Sequence, residues 1–209
     1  IRYGLIRKEQ ACLLQGAGGN TEYFTAAEYP DHEVFRFLFI GRIMAEKGIN
    51  ELYAAMKRLR EEKVECVLDI LGTFDDRYEK ETRSYEAEGW LFFHGLVDDV
   101  RPYIAQSDCF VLPSWHEGMA NTNLECAASG RPIITSNIPG CKEAVIDGVS
   151  GLLCESKNAD SLYQAMKKMM EMPREERGQM GLAGRKHMLK MFDKKKVVDQ
   201  TVSRLDLLK

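Results

Sequence analysis

The sequence predicts an α/β fold: a doubly wound parallel sheet of about six strands, helices on both faces, and a helical extension at the C-terminal end. Three observations predict it. Short apolar runs of strand length recur between Phe35 and Glu155. Helical patterns separate most of them, and after Ala159 helical patterns take over entirely. Short apolar strands alternating with helices imply a parallel sheet covered on both faces, and right-handed crossovers make it doubly wound.

The elements follow in order. Phe35–Gly41, FRFLFIG, is the first strand, and Ile49, Leu52, Ala55, Met56 and Leu59 carry the helical period after it. Val64–Gly72 is the second strand, followed by a charged segment, Asp76–Glu88, that reads as an exposed helix. Leu91–Gly95 is the third, with a short helix at Val100–Ala105, and Cys109–Ser114 the fourth, with a helix at about Asn121–Ser129. Arg131–Ser136 and Gly151–Glu155 are the fifth and sixth strands. Helices at Ala159–Glu171, Glu175–Phe192 and Lys194–Leu208 complete the chain. Residues 1–34 fit the alternation poorly. They contain a helix-like stretch, the apolar run Ala11–Gln15 and the Gly-rich turn GAGGN, and read as the end of a preceding domain plus a linker. The expected organisation is therefore 1–34 linker, 35–192 ligand-binding domain, and 193–209 a terminal helix crossing to a further domain.

With 209 residues, 44% hydrophobic and 29% charged, the chain has room for one large domain. A net charge of −3 gives no basic field and argues against nucleic acid. The run Lys194-Lys195-Lys196 is the local exception, read as a solvated helix surface, with an anionic membrane surface as the alternative. Six cysteines, Cys12, Cys66, Cys109, Cys126, Cys141 and Cys154, are scattered singly. That argues for a reducing compartment and against a disulfide framework or a zinc site. The sequence shows no signal peptide and no apolar run of transmembrane length. The chain starts at Ile1, which suggests a piece of a longer protein.

Two loops carry chemistry. After the first strand, Gly41 to Gly48 reads GRIMAEKG, with Arg42 and Lys47 flanking the turn that opens the helix. The macrodipole opposes cations at a helix N-terminus. A bound polyanion explains two of them: arginine forks to phosphate oxygens, lysine adds a point charge, and free amides complete the site. The plain alternative is a solvated Arg42 and a Lys47 paired with Glu46 or Glu51. The dinucleotide fingerprint G-x-G-x-x-G and the P-loop G-x-x-x-x-G-K-[ST] are absent.

After the fourth strand comes Glu117, and eight residues on Glu125. That spacing alone is weak, since 32 acidic residues produce roughly five such pairs by chance. Its context is stronger. Gly118 allows close backbone approach, and Asn121 or Thr122 is expected to cap the next helix, leaving the amides of Met119 to Asn123 facing a cavity. A carboxylate accepts two hydrogen bonds from a vicinal diol. Diol acceptors in one loop and phosphate donors in another, both at carboxyl ends of strands in one sheet, together call for a nucleotide sugar.

FIGRIMAEKGINEL together with FVLPSWHEGMANTNLECAASGRPIITSNIPGCKEAVIDGVSGLL resembles the C-terminal, donor-binding, Rossmann-like domain of the retaining group 1 glycosyltransferases of the GT-B fold. The resemblance covers about residues 35–192, and GAGGNTEYF is similar to the family's inter-domain linker. It implies that Arg42 and Lys47, beside Gly41, neutralise the donor diphosphate, with no cofactor and no metal. It implies that Glu117 holds hydroxyls of the transferred sugar while backbone of Gly118, Met119 and Ala120 closes around it. Backbone of Asn121, Thr122 and Asn123 would meet the sugar and the proximal phosphate, and Glu125 would hold the ribose diol. The loop at Leu96 and Val97 would receive the base through main-chain contacts. Arg42, Lys47 and Glu117 are then the expected catalytic set. The sequence departs from the family where LGTFDD lacks a second Gly and where Ala120 stands in place of a frequent Pro.

The resemblance further implies a hexosyl- or N-acetylhexosaminyl-transferase that uses a UDP-sugar, acting in polysaccharide biosynthesis. Its acceptor is a saccharide or lipid-linked saccharide, held mainly by a missing N-terminal half. The expected location is cytoplasmic, with peripheral contact at the cytoplasmic membrane face. The fragment alone is expected to be inactive. The alternatives are a sugar-nucleotide epimerase and a non-catalytic nucleotide-sugar-binding module. His94 reads as a core or rim histidine, Trp115 as packing, Asp98 and Asp99 as a helix start, and Met166, Met169, Met170 and Met172 as core filling.

Overall fold

The computed structural model describes residue 16 and residues 18–206. The proposed helix-like start, Ala11–Gln15, Cys12 and the last three residues lie outside the described residues. Six strands form one all-parallel sheet: β1 (Phe35–Ile40), β2 (Cys66–Leu71), β3 (Leu91–Gly95), β4 (Cys109–Leu112), β5 (Ile133–Ser136) and β6 (Gly151–Cys154). Their order across the sheet is β3-β2-β1-β4-β5-β6. The chain thus runs outward from β1 in one direction, returns, and runs outward from β4 in the other. The order reverses between β1 and β4, and in open α/β sheets ligands bind outside the carboxyl ends of strands at that point.

The central strands are apolar because both faces are covered. Phe37, Leu38 and Phe39 of β1, Phe110 and Val111 of β4, and Ile133 and Ile134 of β5 are fully buried. The connecting helices are α1 (Ile49–Glu61), α2 (Glu79–Ala87), α3 (Arg101–Gln106) and α4 (Asn121–Ala128), followed by α5 (Ala159–Glu171), α6 (Arg174–Met191) and α7 (Lys194–Asp206). α1 packs against α5 and α4 against α6, one pair on each face. Leu52, Met56 and Leu59 of α1 and Leu162, Met166 and Met169 of α5 are fully buried, the spacing expected of an amphipathic face. The expected single helix over Asp76–Glu88 divides into a 3-10 turn, Asp76–Tyr78, and α2, whose Thr82 and Tyr85 are buried.

The segment before β1 lies along the body of this domain. Phe24 enters the core, and Tyr29 donates its hydroxyl to the Asp108 carbonyl at 2.9 Å. Gly19 donates to Phe192 O at 2.7 Å, and Lys194 N donates back to Gly19 O at 3.0 Å. Arg131, which the sequence reading placed only as the start of a strand, is fully buried and donates to backbone carbonyls of Ala27, Glu28, Ile104 and Ala105. Among the described residues the cysteines, Cys66, Cys109, Cys126, Cys141 and Cys154, are free and buried. Burial pushes the thiols of Cys66 and Cys141 up to about 11 and that of Cys154 up to about 12. No described helix is long and apolar enough to cross a membrane.

Candidate donor site

The loops that follow β1 and β4 are neighbours at the reversal of the sheet, and backbone contacts bind them together. Trp115 N donates to Glu46 O at 2.9 Å. Gly48, with φ of +74°, lies so close to the second loop that a Cβ there would be 2.1 Å from Pro113 O. Only glycine meets both demands without strain. Gly48 also forms the N-cap of α1, directly after the short turn Ala45–Lys47.

This approach brings Lys47 to Glu117: Nζ donates to Oε1 at 2.5 Å, with the two side chains 29% and 12% exposed. Ser114, fully buried at the end of β4, donates Oγ to the same oxygen at 2.8 Å. Both contacts land on Oε1, and the other oxygen of Glu117 has no hydrogen-bond partner among the described residues. Lys47 therefore pairs with neither Glu46 nor Glu51. Arg42 is exposed on the same rim and forms no hydrogen bond with a described residue. Its charge helps hold the Asp75 carboxyl below its usual range, after the larger effect of the Arg77 hydrogen bond.

Beyond Glu117, Gly118 is exposed with open space around its α-carbon, and Met119 lies against Gly16. The expected side-chain cap on α4 is not formed. The N-cap is Ala120, and neither Asn121 nor Thr122 supplies a capping bond. Ala120 is already fixed: its amide donates to Gly140 O at 2.8 Å. The Asn123 amide likewise turns back to Ala120 O at 3.0 Å, and its buried side chain donates to Thr135 Oγ1 at 3.1 Å. Of the amides from Met119 to Asn123, those of Met119, Asn121 and Thr122 therefore remain for a ligand.

Glu125 lies one turn into α4, half-buried. It lines a cavity of about 200 Å³ with Gly18, Gly19, Asn20, Asn121 and Lys194 among its neighbours. Burial raises its carboxyl pKa. Val97 is partly buried in the loop after β3, two strands from the reversal, beside the exposed Leu96. The structure thus joins Lys47 and Glu117 directly and sets Arg42 in the same loop as Lys47, whereas Glu125 lines a cavity that includes none of these three, and Val97 lies farther out. Sequence reasoning missed Ser114 and Gly140. A small polar residue at a strand end reads as a boundary, and a glycine in a loop as a turn.

Residues 23–187 match the family described as glycosyl transferases, group 1. The chain belongs to this family. It is 33% identical over 152 residues to a glycogen synthase of Mycobacterium tuberculosis, covering 71% of the chain and 37% of that protein. It is 27% identical over 178 residues to an N,N'-diacetylbacillosaminyl-diphospho-undecaprenol alpha-1,3-N-acetylgalactosaminyltransferase of Campylobacter jejuni, covering 79% of the chain and 46% of that protein. The chain thus spans less than half the length of these relatives. Among solved structures, Anabaena HepE in complex with UDP superposes with a TM-score of 0.81 over 96% of the chain and 58% of its own, at 15% identity. Sucrose-phosphate synthase of Thermosynechococcus elongatus gives 0.80 over 91% of the chain and 51% of its own, at 22% identity. At these identities the superpositions speak for the fold, a Rossmann-like α/β domain of a group 1 glycosyltransferase.

His94, Trp115 and Asp99 are accounted for outside the site's chemistry. The His94 ring bonds Asp69 at 2.7 Å, the Trp115 indole donates to Glu51 at 3.2 Å, and Asp99 accepts from the Arg101 amide at the start of α3. Among the described residues no group of three or more His, Cys, Asp or Glu side chains is placed to hold a metal ion.

Proposed function

We propose that this chain is the donor-binding half of a retaining glycosyltransferase that moves a hexosyl or N-acetylhexosaminyl group from a UDP-sugar to a saccharide or lipid-linked acceptor. The observation that carries the reading is the Lys47–Glu117 contact across the reversal of the sheet, which puts a phosphate donor and a hydroxyl acceptor side by side. An ammonium has three donors, so Lys47 reaches a phosphate oxygen while still holding Glu117. Arg42 and the amides of Asn121 and Thr122 add positive charge around the diphosphate. When the bond from the anomeric carbon to the phosphate oxygen breaks, negative charge grows on the leaving diphosphate, and donors fixed around it lower that barrier. The chain's own cations supply this charge, and the proposal requires no cofactor.

Glu117 orients the sugar through its hydroxyls, with Gly118 and Met119 closing over it, and Glu125 takes the ribose diol. The base lies toward Val97. A second half outside this chain supplies the acceptor, so the chain alone binds donor and turns nothing over. UDP is favoured by relatives such as HepE, whose structures hold UDP and UDP-glucose. Five buried, reduced thiols suit a reducing, cytoplasmic compartment. Calorimetry with UDP-, GDP- and ADP-sugars tests the reading: UDP and at least one UDP-sugar should bind, and Lys47→Met should weaken both. Failure of UDP and its sugars to bind while another nucleotide does so overturns the donor assignment.

A further inference from the structure

The loop that carries Glu117 is held from behind by a residue that contacts no donor. Gly140, in the turn after β5, touches both ends of the segment Glu117–Ala120. A Cβ on Gly140 would lie 2.4 Å from Glu117 O and 3.0 Å from Glu117 Cβ, and its φ of +87° is one that side chains rarely adopt. Its carbonyl accepts the Ala120 amide at 2.8 Å. Its own amide donates to Glu143 Oε2 at 2.8 Å. Glu143 stands in the short turn Lys142–Ala144, and its backbone carbonyl bonds the His187 ring of α6 at 2.9 Å. A chain of contacts therefore runs from α6 through Glu143 and Gly140 to the loop between Glu117 and α4.

The geometry points to Glu143 as a positioning residue for sugar recognition: its carboxylate fixes Gly140, and Gly140 sets the path of Glu117–Ala120. This rests on the donor reading above. The consequence is selective. The nucleotide is gripped mainly by Arg42, Lys47 and Glu125, whereas Glu117, Gly118 and Met119 face the sugar; the Lys47–Glu117 pair and the Asn121 and Thr122 amides pass only part of a displacement of this loop to the diphosphate. Loosening Gly140 therefore costs the UDP-sugar more affinity than it costs UDP. The Gly140–Glu143 bond is formed without ligand, so its loss reaches affinity through the cost of ordering the loop on the sugar, and the expected effect is about tenfold. Glutamine keeps an oxygen at the same reach, so Glu143→Gln retains most of what Glu143→Ala loses.

The test has two arms on the full chain. The first is amide hydrogen exchange without ligand, read at Gly140 and Ala120 with the buried amides of β1 as reference. Glu143→Ala should raise exchange at both sites, Glu143→Gln should not, and β1 should stay unchanged. The second is calorimetry of each variant with UDP, UDP-glucose and UDP-N-acetylglucosamine. Glu143→Ala should lose about tenfold for the tighter UDP-sugar, with a smaller loss for UDP. Unaltered exchange at Gly140 and Ala120, or equal losses for UDP and its sugar in both variants, overturns the assignment. Glu117→Ala separates the two failures. If it leaves UDP-sugar affinity intact, the reading of the site fails, and the exchange arm still decides whether Glu143 holds the loop.

Discussion

Arg131 gives the sharpest stability test of this architecture. It is fully buried, yet it donates to carbonyl oxygens and to no carboxylate: Nε to Ile104 at 2.9 Å, Nη1 to Ala27 at 3.1 Å, and Nη2 to Glu28 and Ala105 at 2.7 Å each. Ile104 and Ala105 lie in the last turn of α3, where a cation is favoured. Ala27 and Glu28 belong to the segment leading into β1. One guanidinium therefore ties that segment to the sheet through α3. Arg131→Met keeps the stem's bulk and removes the fork. The Ile104 carbonyl keeps the Ser107 amide at 3.2 Å and the Ser107 hydroxyl at 3.0 Å, so no acceptor is orphaned there, and the four charge-assisted bonds lost cost about 1.5 kcal/mol each. Relief from desolvating the cation offsets several kcal/mol of that sum. The expected net loss is about 3 kcal/mol, a large share of a typical stability of about 5–15 kcal/mol. In urea, with a slope of about 2–3 kcal/mol per M, the midpoint should fall by about 1 M or more. Arg131→Lys should recover only part, because a point ammonium cannot span carbonyls on two sides. A midpoint for Arg131→Met within about 0.3 M of wild type would refute the reasoning.

Two further predictions follow from the site. Gly48→Ala places a Cβ 2.1 Å from Pro113 O at a φ of +74°. It should lose at least about 2 kcal/mol in urea unfolding and weaken UDP binding, whereas Gly118→Ala, with open space around it, should stay within about 0.5 kcal/mol. Glu125 has its folded pKa raised by burial. The folded state therefore holds the proton more tightly, and stability is fully present below the unfolded pKa and lost as pH rises through the folded value. Glu125→Gln should accordingly be more stable than wild type at pH 7, with the difference closing as pH falls below about 4, and should bind UDP more weakly. Equal unfolding midpoints at pH 7 would contradict it.

Most strands and helices were legible because burial on both faces writes them as apolar runs, and α1 and α5 because their buried residues recur at the helical period. The order of strands was not legible, since pairing of β1 with β4 joins residues some 70 positions apart, with no local signal. That pairing decides the site. The sequence offered Glu46 or Glu51 as partners for Lys47, and the reversal of the sheet brings up Glu117 instead. The cap of α4 was misread for a related reason. Asn121 and Thr122 favour capping locally, but the Ala120–Gly140 bond sets where the helix begins, and tertiary contact overrides local preference. Arg131 read as an ordinary strand start because five donors seeking carbonyls leave no motif.

The placing of Glu117 answers an electrostatic difficulty that the residue list alone raises. A carboxylate beside a diphosphate should repel it, by about 4 kcal/mol for unit charges 4 Å apart at an effective dielectric near 20. The Lys47 contact removes the difficulty, because the pair presents almost no net charge while each member keeps free valence. Lys47 has two N–H donors left for phosphate, and Glu117 an oxygen for a hydroxyl. Ser114 strengthens the arrangement from the buried side by occupying the same Oε1, so the carboxylate cannot rotate without breaking two bonds. Arg42 forms no such hydrogen bond among the described residues and on the proposed reading is the cation less committed to the protein, its charge shared with nearby Asp75. On the proposed reading the two basic residues that look equivalent in GRIMAEKG would do different work: Arg42 would attract the donor, and Lys47 would make an acidic sugar-holding group compatible with an anionic ligand.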